Sequence, residues 1–237
     1  MNELEDRPTA DPTLTEQAYR ALRSLILSGA FEPGERLVNR TLAKDLKYSF
    51  TPIRESIRRL ASEGLIDYRD GVGAFVRIPD RDEIEELYDL REAIEPMAAA
   101  RAAKWCRTSH LTALDTWVDA GKTLAQEIEE SSETTVEQMR RGCEIEASFH
   151  GVISEACRNR WVEKISHDLH LVAHAFAALR GNPEFLTAEV AHAAWKDHAD
   201  LVEKLRDGDG PGAEEWMRNH IRTGRANVLS FLEQLAD

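Results

Sequence analysis

Four polar residues occupy positions where the surrounding helical pattern is apolar. Glu146 and His150 stand one turn apart, at i and i+4, beside the apolar series Ile145, Phe149 and Ile153. His198 shares a helical side with Trp195, Leu201 and Leu205, and His220 shares one with Met217, Ile221 and Val228. The pattern therefore turns three imidazoles and one carboxylate inward, from three helices. A buried carboxylate costs on the order of several kcal/mol unless it is paired. A divalent cation would satisfy all four groups, and the donor set suits zinc first, with nickel or manganese as alternatives. The residues also allow a second reading, a hydrogen-bonded core without metal.

Other residues on these helices carry chemistry of their own. Arg91 lies on one helical side with Leu87, Ile94 and Ala98, where a guanidinium requires an anion. That anion is either the carboxylate of a bound effector or Glu95, one turn on. His167, His170 and His174 form a further row, read either as a partly exposed face or subunit contact, or as pocket lining. The cluster around Glu146 could in principle activate water, as in a metal-dependent hydrolase. The pattern offers no second inward carboxylate as general base, which argues against an enzyme. Cys106, Cys143 and Cys157 are odd in number and lack CxxC spacing, so they read as reduced thiols.

A second kind of chemistry sits near the start of the chain. Arg54 and Arg58 are one turn apart on another face than the stripe Ile53, Ile57 and Leu60, beside Arg59. A basic, outward helix face suits a DNA groove. Charge is divided to match. The 237 residues carry a net charge of -13, but residues 14–78 hold 11 Lys+Arg against 8 Asp+Glu, whereas residues 79–237 hold 18 against 31. Only the front part is fit to approach phosphates.

The elements that must position these groups follow from periodicity and turn signals. Residues 1–13 are acidic and contain proline, and are expected to form a disordered tail without the basic start or apolar run of a signal peptide. No run approaches the roughly 18 apolar residues of a membrane span, so a cytoplasmic location is expected. From Leu14 an amphipathic helix runs to the turn FEPGE, and a short helix follows at 39–46. After KYSF comes a third helix, with Thr51 as cap and Pro52 at its first position, running to Gly64. Two β-rich runs around DGVG then form a hairpin, with Gly71 at its tip. Pro79 ends the wing strand, and Asp80 with Glu83 starts a long helix near Arg81. Six helices are expected in the remainder, over 81–105, 109–131, 134–156, 158–180, 187–207 and 212–235, with a kink at Pro96. The fold class is mainly α: an N-terminal winged helix-turn-helix at 14–78 and a six-helix antiparallel bundle at 79–237.

The motifs PGERL, LAKDL, TPIRESIRRLASEGLI and DGVGAFV occur in an order that resembles the winged helix-turn-helix of GntR-family transcription regulators. That resemblance implies operator contacts by Arg40, Ser49, Thr51 and Arg54, to which the outward Arg58 and the wing-tip Gly71 are added. Phe50 departs from the family pattern, which has arginine there. Phenylalanine cannot make the bidentate guanine contact, so it either touches a thymine methyl or packs in the turn. In the remainder, EASFH, WKDHADLVEKLRDGD and RNHI resemble the FCD effector domain of the same family, closer to its six-helix VanR type than to its seven-helix FadR type. This resemblance implies a divalent metal held by Glu146, His150, His198 and His220, with glutamate in place of the usual aspartate. It further implies a homodimer on a palindromic operator and a small organic acid effector, usually acting on a repressor.

Overall fold

The computed structural model of the chain describes residues 12–27, 30, 31, 34–78, 80–131, 134–166, 169 and 186–236. Helix α1 (Leu14–Leu27) buries Ala18, Tyr19, Leu22 and Ile26 against helix α3 (Phe50–Ser62), which answers with Ile53, Ile57 and Leu60. Helix α2 (Asn39–Asp45) precedes α3 across a short turn in which Lys47 takes a positive φ of 58°. Arg59 does not join the outward basic face. Its guanidinium lies 3.5 Å over the Tyr19 ring and bonds to Glu16 Oε2 at 2.8 Å and Glu63 Oε1 at 3.1 Å, which fastens α3 to α1.

Two details of this region differ from the sequence expectation. The residue flanking the start of α3 is Ser49, in extended conformation, so Thr51 lies inside the first turn rather than capping it. Proline is tolerated throughout that turn because the first four N–H groups have no intrahelical acceptor, so Pro52 does not mark the first position uniquely. The second difference is an added strand. Strands β1 (Arg36–Leu37), β2 (Ile66–Arg69) and β3 (Gly73–Val76) form an antiparallel sheet in the order β1-β3-β2. Two residues are too few to display alternation, so β1 leaves no periodic trace. Its Arg36 Nη2 donates to the Val72 carbonyl at 2.6 Å and braces the wing from below. The tip is turned by Gly71 at φ 72°, where an L side chain would be strained.

Helix α4 (Arg81–Trp105) begins with a reciprocal cap: Asp80 Oδ1 accepts from Glu83 N at 2.8 Å, and Asp80 N donates to Glu83 Oε2 at 3.2 Å. Glu83 also pairs with Arg77, which follows β3. Pro79 lies outside the described residues. Helix α4 continues through Pro96 as one element. It is followed by α5 (Thr108–Glu130), α6 (Val136–Ala156), a helical segment at 160–166, α7 (Ala188–Asp207) and α8 (Gly210–Ala236). Most of the helix expected over 158–180 lies outside the described residues. In the bundle, α4 packs against α6, α7 and α8, while α5 packs against α6 and α7. Phe149, Ile153, Leu201, Met217 and Ile221 form the apolar interior between them.

The approach of α5 to α7 depends on the missing side chain of Gly121, since a Cβ there would overlap the Trp195 ring. Trp195 in turn lies 4.6 Å from the His198 ring, centroid to centroid. Gly121→Ala is therefore expected to force a repacking that costs about 1–3 kcal/mol, read as a lower urea midpoint. An unchanged midpoint would show that the helices can separate there without penalty.

Candidate metal centre and nucleic-acid interface

Glu146 and His150 come from α6, His198 from α7 and His220 from α8, and one ligand atom from each lies within 4.8 Å of all the others. The carboxylate is the hub. Glu146 Oε1 is 3.2 Å from His150 Nε2 and 3.3 Å from His220 Nε2, and Oε2 is 3.1 Å from His198 Nε2. The far side of each buried ring is also engaged. His198 Nδ1 is 2.6 Å from the Ala194 carbonyl, which can only accept, so Nδ1 carries the proton. In the neutral ring Nε2 then presents a lone pair toward the Glu146 oxygen, and it makes no hydrogen bond among the described residues. His150 Nδ1 is 3.4 Å from Glu95 Oε2 on α4.

At the contact between His198 and Glu146 a neutral ring would set acceptor against acceptor, which a proton or a cation relieves. The donor set, three imidazoles and one carboxylate, fits a divalent cation. Aromatic walls hold the rings in place: Trp216 stacks on His220 with centroids 4.8 Å apart and an interplanar angle of 11°, and Phe149 meets His198 edge-on at 4.7 Å. The side chains of His150 and His198 are 1% accessible, whereas Glu146 retains 30% and His220 24%. The cluster therefore has a closed floor and one open side.

Electrostatics follow the same geometry. Burial alone would raise the Glu146 pKa, but the three imidazoles, His198 foremost, outweigh it and hold the carboxyl well below its ordinary range. Burial pulls His150 down, yet the facing carboxylates of Glu146 and Glu95 outweigh that pull and raise it to about 9. His220 is lowered, chiefly by burial.

Arg91 is buried, and its Nε donates to Glu95 Oε1 at 2.7 Å. Of the two partners the sequence allows, the structure places the internal one within bonding distance. The contact between Glu95 and His150 joins residues of two helices far apart in the chain, and no spacing rule could have revealed it. His167, His170 and His174 lie outside the described residues.

In the front part, Arg40 on α2, Ser49 before α3, Phe50, Thr51, Arg54 and Arg58 on α3, and Gly71 at the wing tip are all exposed. Arg54 and Arg58 share one outward face. Phe50 keeps half of its surface open, 50% accessible, so it is available to a groove rather than sunk into the turn. Tyr68 and Val72 extend the exposed wing surface and were not singled out by sequence, because outward apolar residues leave no pattern of their own. No helix among the described residues is long and apolar enough to cross a membrane.

A winged helix-turn-helix with an outward arginine pair, joined to a helical bundle, defines a DNA-binding transcription regulator. The pattern of bacterial regulatory proteins of the gntR family matches residues 14–76, and that of the FCD domain matches residues 86–223; the chain belongs to this family, as a member with an FCD domain. It is 28% identical over 216 residues to the Nta operon transcriptional regulator of Aminobacter aminovorans, covering 82% of this chain and 96% of that one. It is 23% identical over 228 residues to the HTH-type transcriptional repressor RspR of Escherichia coli (strain K12), covering 94% and 92%. The solved structure of E. coli McbR/YncC shares the fold with a TM-score of 0.77 at 20% identity, over 93% of this chain and 99% of that one. The family and these relatives are regulators, which sets aside the hydrolase reading.

The site predicts a pH dependence. In the metal-free protein, protonated His150 stabilises the fold fully below its ordinary value of 6.5, and this contribution is lost as pH rises through about 9. Ionised Glu146 contributes above its ordinary value of 4.5 and is lost on acidification. The metal-free melting temperature is therefore expected to fall between pH 6.5 and 9. A bound divalent ion takes His150 as a neutral ligand, so the shift it confers should grow over the same interval. Thermal melts with and without chelator across that range check this, and a chelator effect independent of pH would contradict it.

Proposed function

We propose that this regulator is a homodimeric cytoplasmic repressor whose grip on a palindromic operator is set by a small carboxylate effector bound at a divalent metal. The metal, zinc in first place, would be held by Glu146, His150, His198 and His220. The observation that carries the reading is the convergence of three imidazoles on one carboxylate, with Glu146 and His220 on the accessible side. When bound, the ion supplies positive charge and, if six-coordinate, two open positions that an organic acid could chelate.

The chain's own residues do the rest. His150 and His198 form the closed floor, their ring orientation set by Glu95 and by the Ala194 carbonyl. Trp216 and His220 line the accessible side, where a small acid would arrive. In the front part, the face of Arg54 and Arg58 suits the major groove, with Phe50 at the leading end of α3 and the wing beside the backbone. Two such heads, one from each protomer, would match two half-sites about 34 Å apart, and an effector would favour a spacing that fits them less well. Repression is supported by the naming of the relative RspR as a repressor.

Crossed substitutions separate the two functions. Arg54→Ala is expected to abolish operator binding in a gel-shift or anisotropy assay while metal content stays at the parent level. His198→Ala is expected to strip the metal and remove any carboxylate-induced thermal shift while operator binding persists. Parent-level metal in His198→Ala would refute the ligand assignment. A chelator-resistant shift by a carboxylate would move the effector away from the metal.

A further inference from the structure

The ligand set comes from α6, α7 and α8, yet the helix that packs against all three is α4, which supplies no ligand. What α4 does supply is Glu95. Its side chain is 3% accessible, with Oε2 3.4 Å from His150 Nδ1 and Oε1 2.7 Å from the Arg91 Nε. The three groups form a buried chain, Arg91 to Glu95 to His150, that ends at the ring nitrogen opposite the one facing Glu146.

An imidazole used as a ligand has a second nitrogen, and whatever accepts its proton decides the tautomer, the ring angle and the basicity of the donor nitrogen. The two floor histidines are treated differently. His198 gives its far proton to a neutral carbonyl, that of Ala194, whereas the far nitrogen of His150 faces a carboxylate. An anionic acceptor makes the opposite nitrogen the stronger donor. A buried carboxylate is tolerated only with a counter-charge, and Arg91 provides it from one turn back on the same helix, with its guanidinium 5.0 Å over the Tyr88 ring.

We infer that Glu95 is the positioning residue of the metal centre and Arg91 its counter-charge, so that Arg91 serves the metal site from behind rather than gripping an effector. This rests on the metal reading above and extends it to a helix that holds no ligand. It makes α4 part of the centre: loss of the carboxylate weakens the ion without removing any of its four ligands.

The test uses the full-length protein, with zinc affinity measured by competition against a chromophoric chelator and cobalt(II) as a spectroscopic probe. Glu95→Gln keeps the shape and removes the charge; it is expected to lose about 10–100-fold in zinc affinity and to shift the visible cobalt(II) bands. Because this variant leaves Arg91 buried opposite a neutral amide, the double variant Arg91→Met with Glu95→Gln is made alongside it, since removing both partners of a buried pair is much better tolerated than removing one. The double variant is expected to recover metal-free melting temperature but not zinc affinity. Parent-level zinc affinity and unchanged cobalt(II) bands in Glu95→Gln would overturn the inference. So would recovery of zinc affinity in the double variant, which would reduce the role of Glu95 to stability alone. Failure of the parent protein to bind zinc or cobalt(II) would instead remove the metal reading itself, and this inference with it.

Discussion

A carboxylate set among packed helices stays ionised only with hydrogen-bond donors, counter-charge or water around it, and the second domain gathers three imidazoles around Glu146. Three imidazoles reach it at 3.1 to 3.3 Å from two of its neighbouring helices and from its own. That convergence dictates how closely the helices must lie. The bare Cα of Gly121 lets α7 lie against α5 with Trp195 between them, and Trp195, Trp216 and Phe149 pack against the imidazoles. Burial of His150 and His198 and depression of the Glu146 pKa both follow from this close gathering of groups.

The positions of the four clustered residues were legible because each occupies an apolar stripe of its own helix, a local property that the 3.6-residue period exposes. Their meeting point was not local, and the resemblance to a known domain carried that step. Glu95 shows where legibility ended. Its pairing with Arg91 is an i, i+4 relation that sequence displays, but its contact with His150 spans α4 and α6 and depends on how those helices pack. In the front part the buried stripe of α3 was readable, while the role of Arg59 was not: its spacing matches the outward arginines, and only the nearness of Tyr19, Glu16 and Glu63 turns it toward α1. Strand β1 and the start of α3 escaped for simpler reasons, a strand of two residues and a proline that several first-turn positions accommodate equally.

The division of charge along the chain has a physical counterpart in the two surfaces. The outward arginines of α3 give the front part a positive face suited to DNA phosphates, while the excess of acid beyond residue 78 would repel the same polyanion.

Glu83 holds both the cap of α4 and Arg77 beyond the wing strand, so the same residue ends one lever and grips the next. Between Glu95 and Arg81 that lever spans 14 residues, or roughly 21 Å at about 1.5 Å per residue. A tilt of about 5° pivoting near Glu95 would therefore carry its capped end through roughly 2 Å, with the base of the wing attached. In the homodimer proposed above, whose heads would have to match a fixed helical repeat, a displacement of that size in each protomer would act on both contacts at once. A small rearrangement around Glu95 and His150 would thus be carried to the wing by the stiffness of one continuous helix.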